Sequence, residues 1–119
     1  MPTSTAYMKK IKEETADDEQ LQALITTMKQ GWPKSRQSCP TNIQPFWDSR
    51  HDLTEIGGLV IKGDRLIIPK ALQKDVLEKL HNAHQGIDRT KHRARQSCYW
   101  PRMNAEIEKM VNRCSECLE

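Results

Sequence analysis

The sequence has no long apolar run. None approaches the roughly 20 residues of a membrane-spanning helix. The first stretch, MPTSTAYMKKIKEETADDEQ, lacks the apolar core of a secretory signal. Aromatics are scarce, with one Phe, two Tyr and three Trp among 119 residues, and apolar residues make up 36% against 29% charged. A chain with so little to bury builds a modest core under a highly charged surface, and small cores are often supplemented by a disulfide or a metal. Internal repeats and low-complexity tracts are missing too, which excludes solenoids and fibrous folds. The expectation is one small domain, or one domain with an extension, in an intracellular protein with no membrane contact and no small-molecule substrate.

Four cysteines are present. In a reducing compartment they point to metal binding rather than to disulfides. The net charge of +3 says little by itself, but its distribution is uneven. Between Arg89 and Ala105 stand five basic residues, Arg89, Lys91, Arg93, Arg95 and Arg102, with His92 and no acid. Such a stripe can attract phosphates. The plainer reading is a solvated helix face.

Along the chain, residues 1–15 are polar and expected to fray. In DDEQLQALITTMKQGWP, Leu21, Leu24, Ile25 and Met28 recur at helical spacing, Asp17 or Asp18 can cap the start, and Gly31 with Pro33 marks the stop. Pro33 to Gln44 reads as a loop, and Phe46 and Trp47 as packing anchors. In GGLVIKGDRLIIP, two short apolar runs flank KGDR and predict a hairpin turning at Gly63-Asp64. ALQKDVLEKLHNAH follows as a helix with Leu72, Val76, Leu77 and Leu80 on one face. DRTKHRARQSCYW reads as a second helix with Cys98 at an apolar position, and NAEIEKMVNRC as a third, capped by Asn104, with Ile107, Met110 and Val111 inward.

Four residues form a further pattern, His81-x2-His84-x29-Cys114-x2-Cys117. Zinc favours four nitrogen and sulfur ligands in a tetrahedron, and a Cys-x2-Cys knuckle offers two thiolates to one ion. Either half alone is weak: histidine pairs are common on surfaces, and Cys-x-x-Cys also serves redox proteins, where it opens a helix. Here the cysteines follow a helix, and the two pairs bracket two helices. Four protein ligands fill the coordination sphere and leave no place for a reacting water, so the expected single Zn²⁺ is structural.

The segment LHNAHQGIDRTKHRARQSCYWPRMNAEIEKMVNRCSEC resembles the zinc-binding N-terminal domain of retroelement integrases, the His-His-Cys-Cys type, and is most similar to that of gypsy-type long-terminal-repeat retrotransposons. The paired histidines, HQG followed by Thr90, YWP and the final Cys-x2-Cys carry the likeness, which extends more loosely back to Trp32. Where that family often has Gly after WP, this chain has Arg102. The resemblance implies that His81, His84, Cys114 and Cys117 are the zinc ligands. It also implies a mainly α fold with a small β-hairpin, in which a zinc-stabilised three-helix, helix-turn-helix-like bundle follows a helix/hairpin extension. The expected division is 1–15 frayed, 16–69 extension and 70–119 zinc-binding domain.

By the same resemblance, the chain is expected to be a non-catalytic module serving DNA integration in the nucleus through self-association and DNA contact. Arg89, Lys91, Arg93, Arg95 and Arg102 are the candidate phosphate contacts. The family's catalytic core does not appear in this sequence, so no enzymatic activity is expected and the chain reads as a piece of a longer polyprotein. The alternative is a domesticated or stranded protein-interaction module without DNA binding, for which the Leu21, Leu24, Ile25 and Met28 stripe could supply a surface.

Overall fold

The computed structural model describes residues 5–81 and 98–113. Helix dominates these residues, and a small sheet sits at their centre. No helix among them is long and apolar enough to cross a membrane.

Helix α2, Glu19–Gln30, forms where its spacing predicts. Asp18 caps it by accepting the Leu21 N–H, and Gly31 ends it at φ 98°, a conformation that favours glycine. Ahead of it lies an element that the composition concealed. Residues 1–15 are expected to fray, yet Thr5–Ala16 form helix α1. Ile11 is 1% exposed, and Tyr7 and Met8 are half-buried, on a stripe flanked by Lys9, Lys10, Lys12 and Glu13. So narrow a stripe gives little helix stability alone, and tertiary packing supplies the rest.

After α2, a 3-10 turn at Arg36–Ser38 and a longer 3-10 segment at Thr41–Asp52 replace the expected loop, and Phe46 anchors the latter in the interior. Strands β1 (Leu53–Ile56), β2 (Leu59–Lys62) and β3 (Arg65–Ile67) run antiparallel, with Ile61 opposite Leu66 and Lys62 opposite Arg65. The predicted hairpin is β2–β3, and Gly63 makes its turn at φ 62°. β1 was not expected. Its partly exposed residues give no clear alternation of hydrophobicity.

A fourth strand, β4 (Cys98–Tyr99), pairs parallel with β3, Leu66 opposite Cys98 and Ile67 opposite Tyr99. This corrects the expected helix at its C-terminal end; the remainder of that helix lies outside the described residues. Cys98 and Trp100 are buried in one layer while Tyr99 packs into the other, an alternation with the period of a strand. Pro101 then blocks continuation of the ladder.

Helices α3 (Lys70–His81) and α4 (Met103–Arg113) follow β3 and β4 respectively. The start of α4 is also corrected. Asn104 is not the cap, because the Arg102 carbonyl already accepts the Glu106 N–H and Met103 is buried in the first turn. Ile107 and Val111 face the core as expected, whereas Met110, also expected inward, is half-buried at the hollow between α3 and α4.

The sheet separates two apolar layers. On one face Ile68, Cys98 and Trp100 join Ile11 of α1, Leu72 and Val76 of α3, and Met103, Ile107 and Val111 of α4. On the other, Val60 and Ile67 join Leu21, Leu24 and Ile25 of α2 with Ile43 and Phe46. The α2 stripe therefore packs against the sheet rather than forming a free docking surface. The division at 69/70 runs through the first layer: Ile11 and Ile68 share it with α3 and α4, and the Asp18 carboxylate accepts the Lys70 N–H at 2.9 Å.

Candidate metal centre

Chain order within this fold is strand, proline, helix, twice over: β3, Pro69 and α3, then β4, Pro101 and α4. Because β3 and β4 are parallel, the helices leave the sheet in the same sense. The surfaces between them bear this out. Gln73 shares a hollow with Pro101, Arg102 and Ala105, near the starts of both helices, while Leu77 and Glu78 share another with Met110 and Arg113, towards their ends. The two C-terminal ends therefore lie on the same side of the molecule. α3 ends at His81, and Arg113, the last residue of α4, immediately precedes Cys114.

The His81 side chain, and His84, Cys114 and Cys117 altogether, lie outside the described residues, as do Arg89, Lys91, Arg93 and Arg95. Among the described residues, no group of His, Cys, Asp or Glu could hold a metal ion. The donor set fits zinc on chemical grounds, with two imidazoles and two thiolates. The arrangement of α3 and α4 fits a cross-link between helix ends. The remaining cysteines, Cys39 and Cys98, form no disulfide among the described residues and are buried, one in each apolar layer.

Of the predicted basic residues, Arg102 is the one described. It is exposed, with φ 70°. It lines a small cavity with Arg65, Tyr99, Trp100, Met103 and Asn104. Arg65 and Lys62 escaped the sequence reading, although KGDR carries the signal. Residues directly opposite across a hairpin project to the same face, so Lys62 and Arg65 are brought together. Both approach the Tyr99 ring, Lys62 Nζ at 3.9 Å and Arg65 Cζ at 5.4 Å from its centre. Burial lowers the Lys62 pKa, and Arg65 lowers it further, against the opposing pull of Asp52. Burial raises that of the Tyr99 phenol, partly offset by Arg65 and by a hydrogen bond with Ser49. The Trp100 indole N–H is satisfied by Glu106 Oε2, which ties β4 to α4.

The integrase zinc binding domain family matches residues 68–119. The uncharacterized protein K02A2.6 of Caenorhabditis elegans is 34% identical over 110 residues, or 92% of this chain. The chain spans 8% of that protein's length. No solved structure matches.

Proposed function

We propose that this chain is a non-catalytic, zinc-binding module of a gypsy-type retroelement integrase, serving multimerisation and contact with the element's DNA ends. One observation carries the reading. In a segment matching the integrase zinc binding domain, a histidine pair that starts on the last residue of one helix and a cysteine pair that follows the other belong to two helices running side by side in the same sense. His81, His84, Cys114 and Cys117 would hold one Zn²⁺, which cross-links the helix ends and leaves no coordination position for a reacting water. Arg89, Lys91, Arg93, Arg95 and Arg102 serve as phosphate contacts, which position the protein on DNA without reading its sequence.

Elemental analysis of the purified chain tests the metal. The expected result is one zinc per chain, lost together in His84→Ala and Cys117→Ser variants. Zinc that remains after both substitutions removes these ligands from the site.

A second reading has its own support. The hollow between α3 and α4 has half-buried Leu77 and Met110 on its floor and Lys74, Glu78, Glu106, Lys109 and Arg113 around it. An apolar floor within a mixed-charge rim suits a protein partner. Sedimentation with and without duplex DNA separates the two: association that is independent of DNA, with no DNA binding, favours the interaction module.

A further inference from the structure

Arg102 is the only described residue other than glycine with a left-handed backbone. That conformation is unfavourable for a side chain with a Cβ, whereas glycine adopts it freely. The residue is exposed and covers no core, so its side chain is not retained for burial. Strain at an exposed cation suggests that the cation has work to do where it stands.

Its surroundings indicate what that work is. Arg65 reaches the same cavity, of about 190 Å³, from the opposite element, and Tyr99, Trp100, Met103 and Asn104 complete the lining. The space is several times the ~30 Å³ share of one water molecule in the liquid. No acid lines it. Asp48 acts on Tyr99 and Asp52 on Lys62, but neither borders the cavity. Among the described residues, Lys62, Arg65 and Arg102 form no ion pair. Lys62 and Arg65, directly opposite across β2 and β3, repel one another, and a bound anion relieves that repulsion.

We propose that Arg65 and Arg102 grip one phosphate group of a nucleic-acid backbone in this cavity, with Lys62 beside them to meet the backbone as it continues. Guanidinium groups suit the role because their planar forks match phosphate oxygens. The inference rests on the nucleic-acid reading above and deepens it. Half of the contact comes from the β2–β3 hairpin, at the sheet end of α4, whereas the cysteine pair follows the opposite end of that helix.

The test uses the zinc-loaded full chain and fluorescently labelled duplex DNA, titrated across a series of salt concentrations. Arg102→Gly removes the cation and the backbone strain together. It is expected to weaken binding several-fold and to reduce the slope of log K against log salt by about one. Its melting temperature should equal or exceed that of the parent chain. Arg65→Gln should weaken binding in the same way. Arg36→Gln, at an exposed arginine in the Arg36–Ser38 turn, controls for loss of one charge elsewhere and should change neither quantity. If the parent binds DNA and Arg102→Gly matches Arg36→Gln in affinity and slope, the cavity is not the site and the wider nucleic-acid reading stands. If the parent fails to bind DNA at low salt, both readings fall. In that event, inorganic phosphate that raises the melting temperature of the parent but not of Arg102→Gly identifies a site for free anions and overturns the nucleic-acid assignment.

Discussion

The hydroxyl of Tyr7 donates to Oδ2 of Asp75 at 2.9 Å, joining residues 68 positions apart. Lys79 completes the clasp, with its Nζ 3.3 Å from the same oxygen and 3.8 Å from the centre of the Tyr7 ring. Three side chains thus fasten α1 to α3. Tyr7→Phe keeps the ring and its cation contact but loses the hydrogen bond, and should cost about 0.5–1.5 kcal/mol in urea denaturation. No change in the midpoint would mean that the clasp contributes nothing net.

The clasp also gives stability a defined pH dependence. The Tyr7 hydrogen bond, followed by Lys79, holds the Asp75 carboxyl below its ordinary pKa despite some desolvation. Burial, with Asp75 next to it, raises the Tyr7 pKa. A depressed acid stabilises the fold above its unfolded pKa, and that contribution is lost as pH falls from the ordinary carboxylate range through the folded value. A raised phenol stabilises it below the unfolded pKa near 10, and that contribution is lost as pH climbs beyond it. Denaturation midpoints should decline on both flanks, and Tyr7→Phe should flatten the alkaline decline. An unaltered alkaline limb in the variant would assign it to other groups.

Asp18 caps two helices at once. One carboxylate oxygen accepts the Leu21 N–H at 3.0 Å and the other the Lys70 N–H at 2.9 Å. Removal of one capping side chain costs about 0.5–2 kcal/mol. Asp18→Ala should therefore exceed the effect of a single cap, and Asp18→Asn, with one acceptor oxygen, should fall between parent and alanine. Equal effects from the two variants would show that only one of the bonds matters.

Ile11→Ala tests whether α1 belongs to the core. The side chain is 1% exposed and packs with Ile68, Leu72 and Trp100. Truncation of a buried isoleucine costs about 2–5 kcal/mol. A loss under about 0.5 kcal/mol, the range of ordinary surface changes, would return α1 to the frayed terminus its composition suggests.

Metal removal should act on one layer more than the other. The histidine pair begins on the last residue of α3 and the cysteine pair follows α4, two helices that pack on the same face of the sheet, while the opposite layer draws on α2, Ile43, Phe46, Val60 and Ile67. After chelation, amide hydrogen exchange should quicken first in α4 and the end of α3, with β1 and β2 still protected. Uniform loss across both layers would mean that they unfold as one unit.

Much of this was legible in the sequence. The helical spacing of Leu21, Leu24 and Ile25, the turn at Gly63, and the inward Leu72 and Val76 of α3 and Ile107 and Val111 of α4 are local signals, and these residues lie where their signals put them. α1 was hidden because a stripe as narrow as Tyr7, Met8 and Ile11 acquires meaning only beside Trp100 and Leu72, far away in sequence. β4 was hidden because two residues are too few to display a period, and its pairing with β3 is non-local. The metal pattern was plain as a spacing. That α3 and α4 run in the same sense followed only from the strand pairing. Arg102 was found as a charge, whereas its partner Arg65 needed the hairpin register.

The pairing of β3 with β4 also determines what can be cut and moved as a block. A breakpoint at Ile68, where the zinc-binding segment begins by similarity, would separate β4 from its partner strand and remove Ile11 from above Trp100. Such a graft would carry the histidines and cysteines but strip the first layer of Ile11 and leave β4 without its partner strand. A fusion joined ahead of Thr5 instead keeps β3 beside β4 and Ile11 in the layer of Trp100, so the hairpin and the first helix travel with the metal ligands as one packed block.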